Sequence, residues 1–199
     1  MRLFSTSRSR AGLTLVEVAV SFGLLGIVFS GLAMMLGQTN RAVQSGSAVM
    51  SLESRGSRTM HRIVDALRRA DLASISAVPD APFSSGAITF QKNLGYGESA
   101  VEWSTPHAIA VDANGVITIS EDVGLASERA TPWCSGVPAL LEGEILNGID
   151  DNGNGLSDEP GLCFTRTGSL LTIRFTLEGQ TPEGVPLTRT WMTRVLCRN

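Results

Sequence analysis

Lysine is nearly missing from these 199 residues: Lys92 stands alone, and the arginines are scattered without forming a stripe that would neutralise a phosphate backbone. Nucleic acid is therefore not an expected partner. Histidine is almost as scarce, and His61 and His107 stand far apart in the chain, so a paired-histidine metal centre is not expected. His61 reads as a solvated or packing side chain, and His107 is isolated beside Pro106. A Gly-x-Ser-x-Gly elbow and a phosphate-binding loop are missing as well. No catalytic constellation emerges, and the chain is not expected to be an enzyme. Trp103, Trp133 and Trp191 suit core packing, with interface anchoring as the less common use. The length fills one ordinary globular core plus one appended segment.

Apolar residues are concentrated from Leu13 to Leu36, where Glu17 is the one ionisable residue. At helical rise this run extends about 36 Å, against a hydrocarbon core of about 30 Å. It is long enough to cross a membrane. Arg2, Arg8 and Arg10 precede it and few positive charges follow closely, which predicts a cytoplasmic N-terminus and an exported remainder. A secretory signal peptide is the competing reading, since Gly31-Leu32-Ala33 places small residues at an A-x-A-like spacing. Against it, the run exceeds the usual apolar core of such a peptide, and Glu17 has no role there.

The junction Arg10-Ala11-Gly12-Leu13-Thr14-Leu15-Val16-Glu17 resembles the prepilin processing site of the type IV pilin and pseudopilin superfamily. Gly12, Thr14, Leu15, Val16 and Glu17 match that pattern, and Leu13 departs from its usual Phe. The resemblance implies that a membrane prepilin peptidase cuts between Gly12 and Leu13 and that the new Leu13 amine is methylated. It also implies that Glu17 meets a neighbouring subunit's Leu13 ammonium during assembly. The physical reason is that a carboxylate near the start of a membrane helix is costly without a partner.

The resulting division is a leader at 1–12, a transmembrane half-helix at 13–37, a periplasmic half-helix at 38–72 and a β-rich head at 73–199. By resemblance the protein sits in the inner membrane, N-terminus inside and head in the periplasm, before entering a filament. Size, Glu17, the sheet-rich head and the closing strand Leu187–Asn199 are most similar to the J-type minor pseudopilins of type II secretion. W-type minor pilins of adhesive or twitching pili are nearly as similar. Implied partners are other major and minor pseudopilins or pilins and an ATP-driven inner-membrane assembly platform.

Residues 38–72 contain no proline and place Val43, Met50, Met60, Val64 and Leu67 at helical spacing, with a bend or fray expected in the Ser- and Gly-rich stretch Gln44 to Ser57. From Arg58 to Leu72, Met60, Ile63, Val64, Leu67 and Ala70 form one face that should pack on a sheet. Strands are expected at Ala87–Gln91, Ala100–Ser104, Ala108–Asp112, Val116–Glu121, Leu162–Arg166, Leu170–Leu177 and Leu187–Val195, with Asn114-Gly115 as a hairpin turn. Thr172 to Leu177 alternates as a strand with one solvated face should. The fold class is α+β, a long N-terminal helix laid on an antiparallel sheet.

Cys134, Cys163 and Cys197 all lie in the part expected to be exported, where disulfides persist. A Cys134–Cys163 bridge is expected, because the two bracket the loop-rich excursion at 135–162; Cys163–Cys197 and three buried thiols are the alternatives. Inside that excursion, oxygen-bearing residues alternate from Asp150. Asp150, Asn152 and Asn154 stand at positions 1, 3 and 5, Gly155 allows a sharp turn, Leu156 offers a carbonyl and Asp158 follows at position 9. This order resembles the first part of an EF-hand loop and predicts a calcium site. Gly161 stands where the usual closing Glu belongs, so Glu159 is the candidate to complete the shell. Asparagine at two ligand positions predicts weak affinity, on the order of 10⁻⁴ M.

Overall fold

A computed structural model of the chain describes residues 14–76, 78–97 and 100–197. Helix α1 spans Leu15–Arg68, and the chain divides into two compact units at Gln44/Ser45. In the first unit every described residue is exposed, including Phe22, Leu25, Phe29 and Leu36. That segment is apolar enough to cross a membrane, and no part of its most apolar stretch is buried within the protein.

In the second unit, α1 continues through the Ser- and Gly-rich stretch without a break in its helical assignment. The reason is tertiary. Leu52, Gly56, Thr59, Met60, Ile63 and Leu67 form the buried stripe, spaced by three or four residues apart from the adjacent pair Thr59 and Met60. Val43 and Met50, expected on the apolar face, are exposed instead. Helical structure stops at Arg68, earlier than residue 72. A bridge between Ala70 and Lys92 and a short 3-10 turn at Leu72–Ser74 take over.

Among the described residues nine strands follow: β1 Ala87–Phe90, β2 Asn93–Tyr96, β3 Val101–Trp103, β4 His107–Val111, β5 Val116–Glu121, β6 Arg129–Ser135, β7 Leu162–Thr167, β8 Leu170–Gln180 and β9 Pro186–Leu196. They form antiparallel sheets in the orders β1-β4-β5-β6, β2-β3 and β7-β8-β9. The α+β layout is thus observed. The Asn114-Gly115 turn joins β4 to β5, with Gly115 at φ +70° and the Asp112 carboxylate accepting the Asn114 and Val116 amides.

Two strands escaped sequence reading. β6, not among the expected strands, carries Pro132; it is the edge of its sheet and is irregular beside Pro132, where a missing N–H is tolerated. In β2, Gly95 interrupts a short exposed ribbon. The solvated face expected along Thr172–Leu177 is not solvated. β8 is the central strand, and Thr172 and Thr176 are buried. The excursion covers Thr176, whose hydroxyl accepts the Glu142 amide and pairs with Thr190.

The expected Cys134–Cys163 bridge is not formed. All three cysteines are free and buried. Cys134 lies on β6 within reach of the Arg55 guanidinium, while Cys163 lies on β7 opposite Arg174 in a different sheet, so bracketing a loop in sequence did not bring the sulfurs together.

Candidate functional site

The sequence pointed to two places, the head of α1 and the 135–162 excursion. Gly12 and Leu13, the expected cleavage and methylation positions, lie outside the described residues. At the head of the helix, Thr14 and Glu17 form a reciprocal capping box. Glu17 Oε2 accepts the Thr14 amide at 2.9 Å and its hydroxyl at 3.0 Å, and the Glu17 amide donates to Thr14 Oγ1 at 3.3 Å. The signal was legible as Thr-x-x-Glu before an apolar run. Both bonds to the carboxylate fall on Oε2, and among the described residues Oε1 accepts none.

The neck of the excursion is closed by an antiparallel bridge between Leu140 and Pro160, with the Leu141 amide donating to the Glu159 carbonyl at 2.9 Å. A turn from Leu141 brings the chain round to Glu144, whose amide donates to the Leu141 carbonyl at 3.0 Å. Leu141 and Leu156 are buried and pin the two arms of the loop. Glu144 thereby comes to lie beside Glu159, fifteen positions away in sequence.

Above this pair the Asp/Asn segment winds by successive side-chain-to-amide bonds. Asp150 accepts the amides of Gly153, Asn154 and Gly155; Asn152 accepts that of Asn154; Asn154 accepts that of Leu156. Gly155 takes the positive φ expected of the sharp turn, +87°. Asp158 turns away from Asp150 and clamps the amides of Asn147 and Gly148 at 2.8–2.9 Å. Asp151 accepts the Ile145 amide and the Asn147 side chain.

The expected ligands therefore divide. Asp150, Asn152 and Asn154 stay together, Leu156 contributes a buried side chain, and Asp158 is committed to the loop entrance. Among the described residues no three His, Cys, Asp or Glu side chains converge as a metal-binding group. Two carboxylates do meet. Glu159 is 0% exposed and Glu144 is 8% exposed, and neither Glu159 oxygen has a hydrogen-bond partner. Glu144 instead binds the loop, accepting the Asn152 amide at 3.1 Å and the Asp158 amide at 3.2 Å. Burial, and the neighbouring Glu144, hold the Glu159 carboxyl above its usual pKa.

Glu144 was missed from sequence because it precedes the alternating segment and no periodicity links it to Glu159. The remaining candidates for chemistry are plain. His61 is exposed and bonded to the Ser57 carbonyl, and His107 is buried against Phe90. No protein family, curated protein or solved structure matches this chain.

Proposed function

We propose that this protein is a pilin-type filament subunit, held in the inner membrane by residues 13–37, processed between Gly12 and Leu13, and assembled through its N-terminal helix. The observation that carries the reading is the segment Leu15–Leu36, apolar and exposed along its whole length and opened by a single carboxylate. Such a surface needs lipid or like helices around it. Glu17 supports the second of these covers, because its Oε1, unbonded among the described residues, can take a neighbour's Leu13 ammonium without loss of the Thr14 cap.

Within this class the preferred role is a minor pseudopilin that primes a short type II secretion filament, with no enzymatic step of its own. A minor pilin of an adhesive or motility pilus is the alternative, and a soluble secreted protein is the less favoured one. Intact-mass measurement of the membrane-extracted protein tests the processing: the expected mature chain starts at a methylated Leu13. A start at Met34 rejects the filament reading in favour of signal-peptide release. Deletion of the coding sequence, scored for exoprotein secretion and surface pili in parallel, tests the subtype, and loss of pili with intact secretion rejects the secretion role.

A further inference from the structure

We propose that Glu144 and Glu159 are the anionic core of a calcium site closed by the 150–158 loop. This reassigns the site from the alternating surface positions to a buried pair that only folding brings together. It stands independently of the filament reading.

Three observations carry it. First, Glu159 is fully buried and both of its oxygens are without a hydrogen-bond partner, a state that carboxylates in protein interiors do not tolerate uncompensated. Second, the side chains that act on that carboxylate are those of Asn154 and Glu144, a neutral amide and a second anion, and neither is a cation. Arg174 is the cation in the neighbourhood, since it and Glu159 both act on Cys163, but the two form no ion pair; the one ion pair among the described residues joins Arg189 to Glu53 on the surface. Third, the loop holding Asn154 is anchored to the pair: Glu144 receives the amides of Asn152 and Asp158, one from each side of Asn154.

A hard cation resolves all three. Calcium takes six to eight oxygens from carboxylates, amides, backbone carbonyls and water, so two acids supplemented by backbone carbonyls and water make a sufficient core without a third acid. Magnesium, which needs a tighter octahedron and sheds water reluctantly, should bind less well.

The test uses the full-length chain in detergent, freed of metal with chelator and titrated with calcium chloride. The expected result is a single saturable binding heat, with Kd on the order of 10⁻⁴ M. Melting temperature should rise by roughly 5–10 °C once calcium exceeds Kd about a hundredfold. Glu144→Gln and Glu159→Gln should each weaken binding at least ~10-fold, while Glu102→Gln, which removes an exposed acid elsewhere, should leave it unchanged.

Glu159→Gln alone guards against simple unfolding, because Glu159 accepts no bond from the loop whereas both Glu144 oxygens hold loop amides. It should melt at or above wild type in chelator, because it removes a buried repulsion, and its melting temperature should respond less to calcium. No heat and no melting shift at millimolar calcium overturns the proposal. So does binding that survives Glu159→Gln but is lost in Asp150→Asn, which returns the site to the loop surface. A Glu159→Gln variant that melts below wild type in chelator also overturns it, since the Glu159 carboxyl would then be satisfied without metal, by a shared proton or by Arg174.

Discussion

Gly56 of α1 lies directly beneath the indole of Trp191 on β9, so close that a Cβ at position 56 would overlap the ring. The ring is also held by Phe175, with which it stacks at a centroid distance of 5.4 Å and an interplanar angle of 23°. Gly56 is thus a point of close approach between helix and sheet, and the helix tolerates its poor propensity there because the contact requires it.

Gly56→Ala should therefore destabilise the head by about 1–3 kcal/mol through overpacking, despite a helix-propensity gain of up to about 1 kcal/mol. Denaturant unfolding followed by tryptophan fluorescence measures this. Gly46→Ala, at an open helical position with no neighbour to meet, should be neutral or stabilising. Equal behaviour of the two variants would remove the Trp191 contact from the account.

His107 sets a pH dependence. It is buried on β4, stacked on Phe90, and its Nδ1 has no partner. Burial, with a smaller effect from Lys92, lowers its pKa from 6.5, against the opposing pull of Glu121 and Asp122. The unfolded chain then takes up the proton first as pH falls. Stability is full above pH 6.5 and is lost as the pH drops through that value toward the lower native pKa. Urea midpoints measured from about pH 7.5 to about pH 5.5 should decline, and the slope should be shallower in His107→Gln.

The thiols should be inert in the folded state. Burial pushes the Cys163 pKa up to about 12, so at pH 8 only roughly one thiol in 10⁴ is ionised. Burial raises Cys197 also. Alkylation at pH 8 should be slow in native protein and should reach all three cysteines promptly in denaturant without reductant. Recovery of a Cys134–Cys163 peptide pair in nonreducing mapping would contradict the free-thiol arrangement.

Thr14 and Glu17 separate capping from assembly. Thr14→Ala removes the cap, worth about 1 kcal/mol of local helix stability, and should leave filament incorporation largely intact. Glu17→Gln retains a side chain able to accept the Thr14 bonds but removes the charge, and should block incorporation while leaving membrane insertion unchanged. Co-purification with partner subunits from membranes reads the difference. Equal loss in both variants would reduce Glu17 to a structural cap.

Local and periodic features were determined by the sequence alone: the membrane-length apolar run, the helical face from Met60 to Leu67, the Asn114-Gly115 hairpin and seven of the nine strands among the described residues. Each depends on neighbours in the chain, through the 3.6 and 2.0 periods or through a turn's backbone demands. What tertiary structure decided involves partners distant in sequence. Gly56 lay in a stretch expected to bend or fray until Trp191 arrived from 135 positions away; Pro132 fits within β6 because β6 is an edge. Thr172 and Thr176 alternated like a solvated face until the excursion covered it. Glu144 and Glu159 carried no shared pattern at all. They meet because the Leu140–Pro160 bridge closes the loop beneath them, and a buried like-charge pair is a property of the closed loop, not of either acid's local sequence.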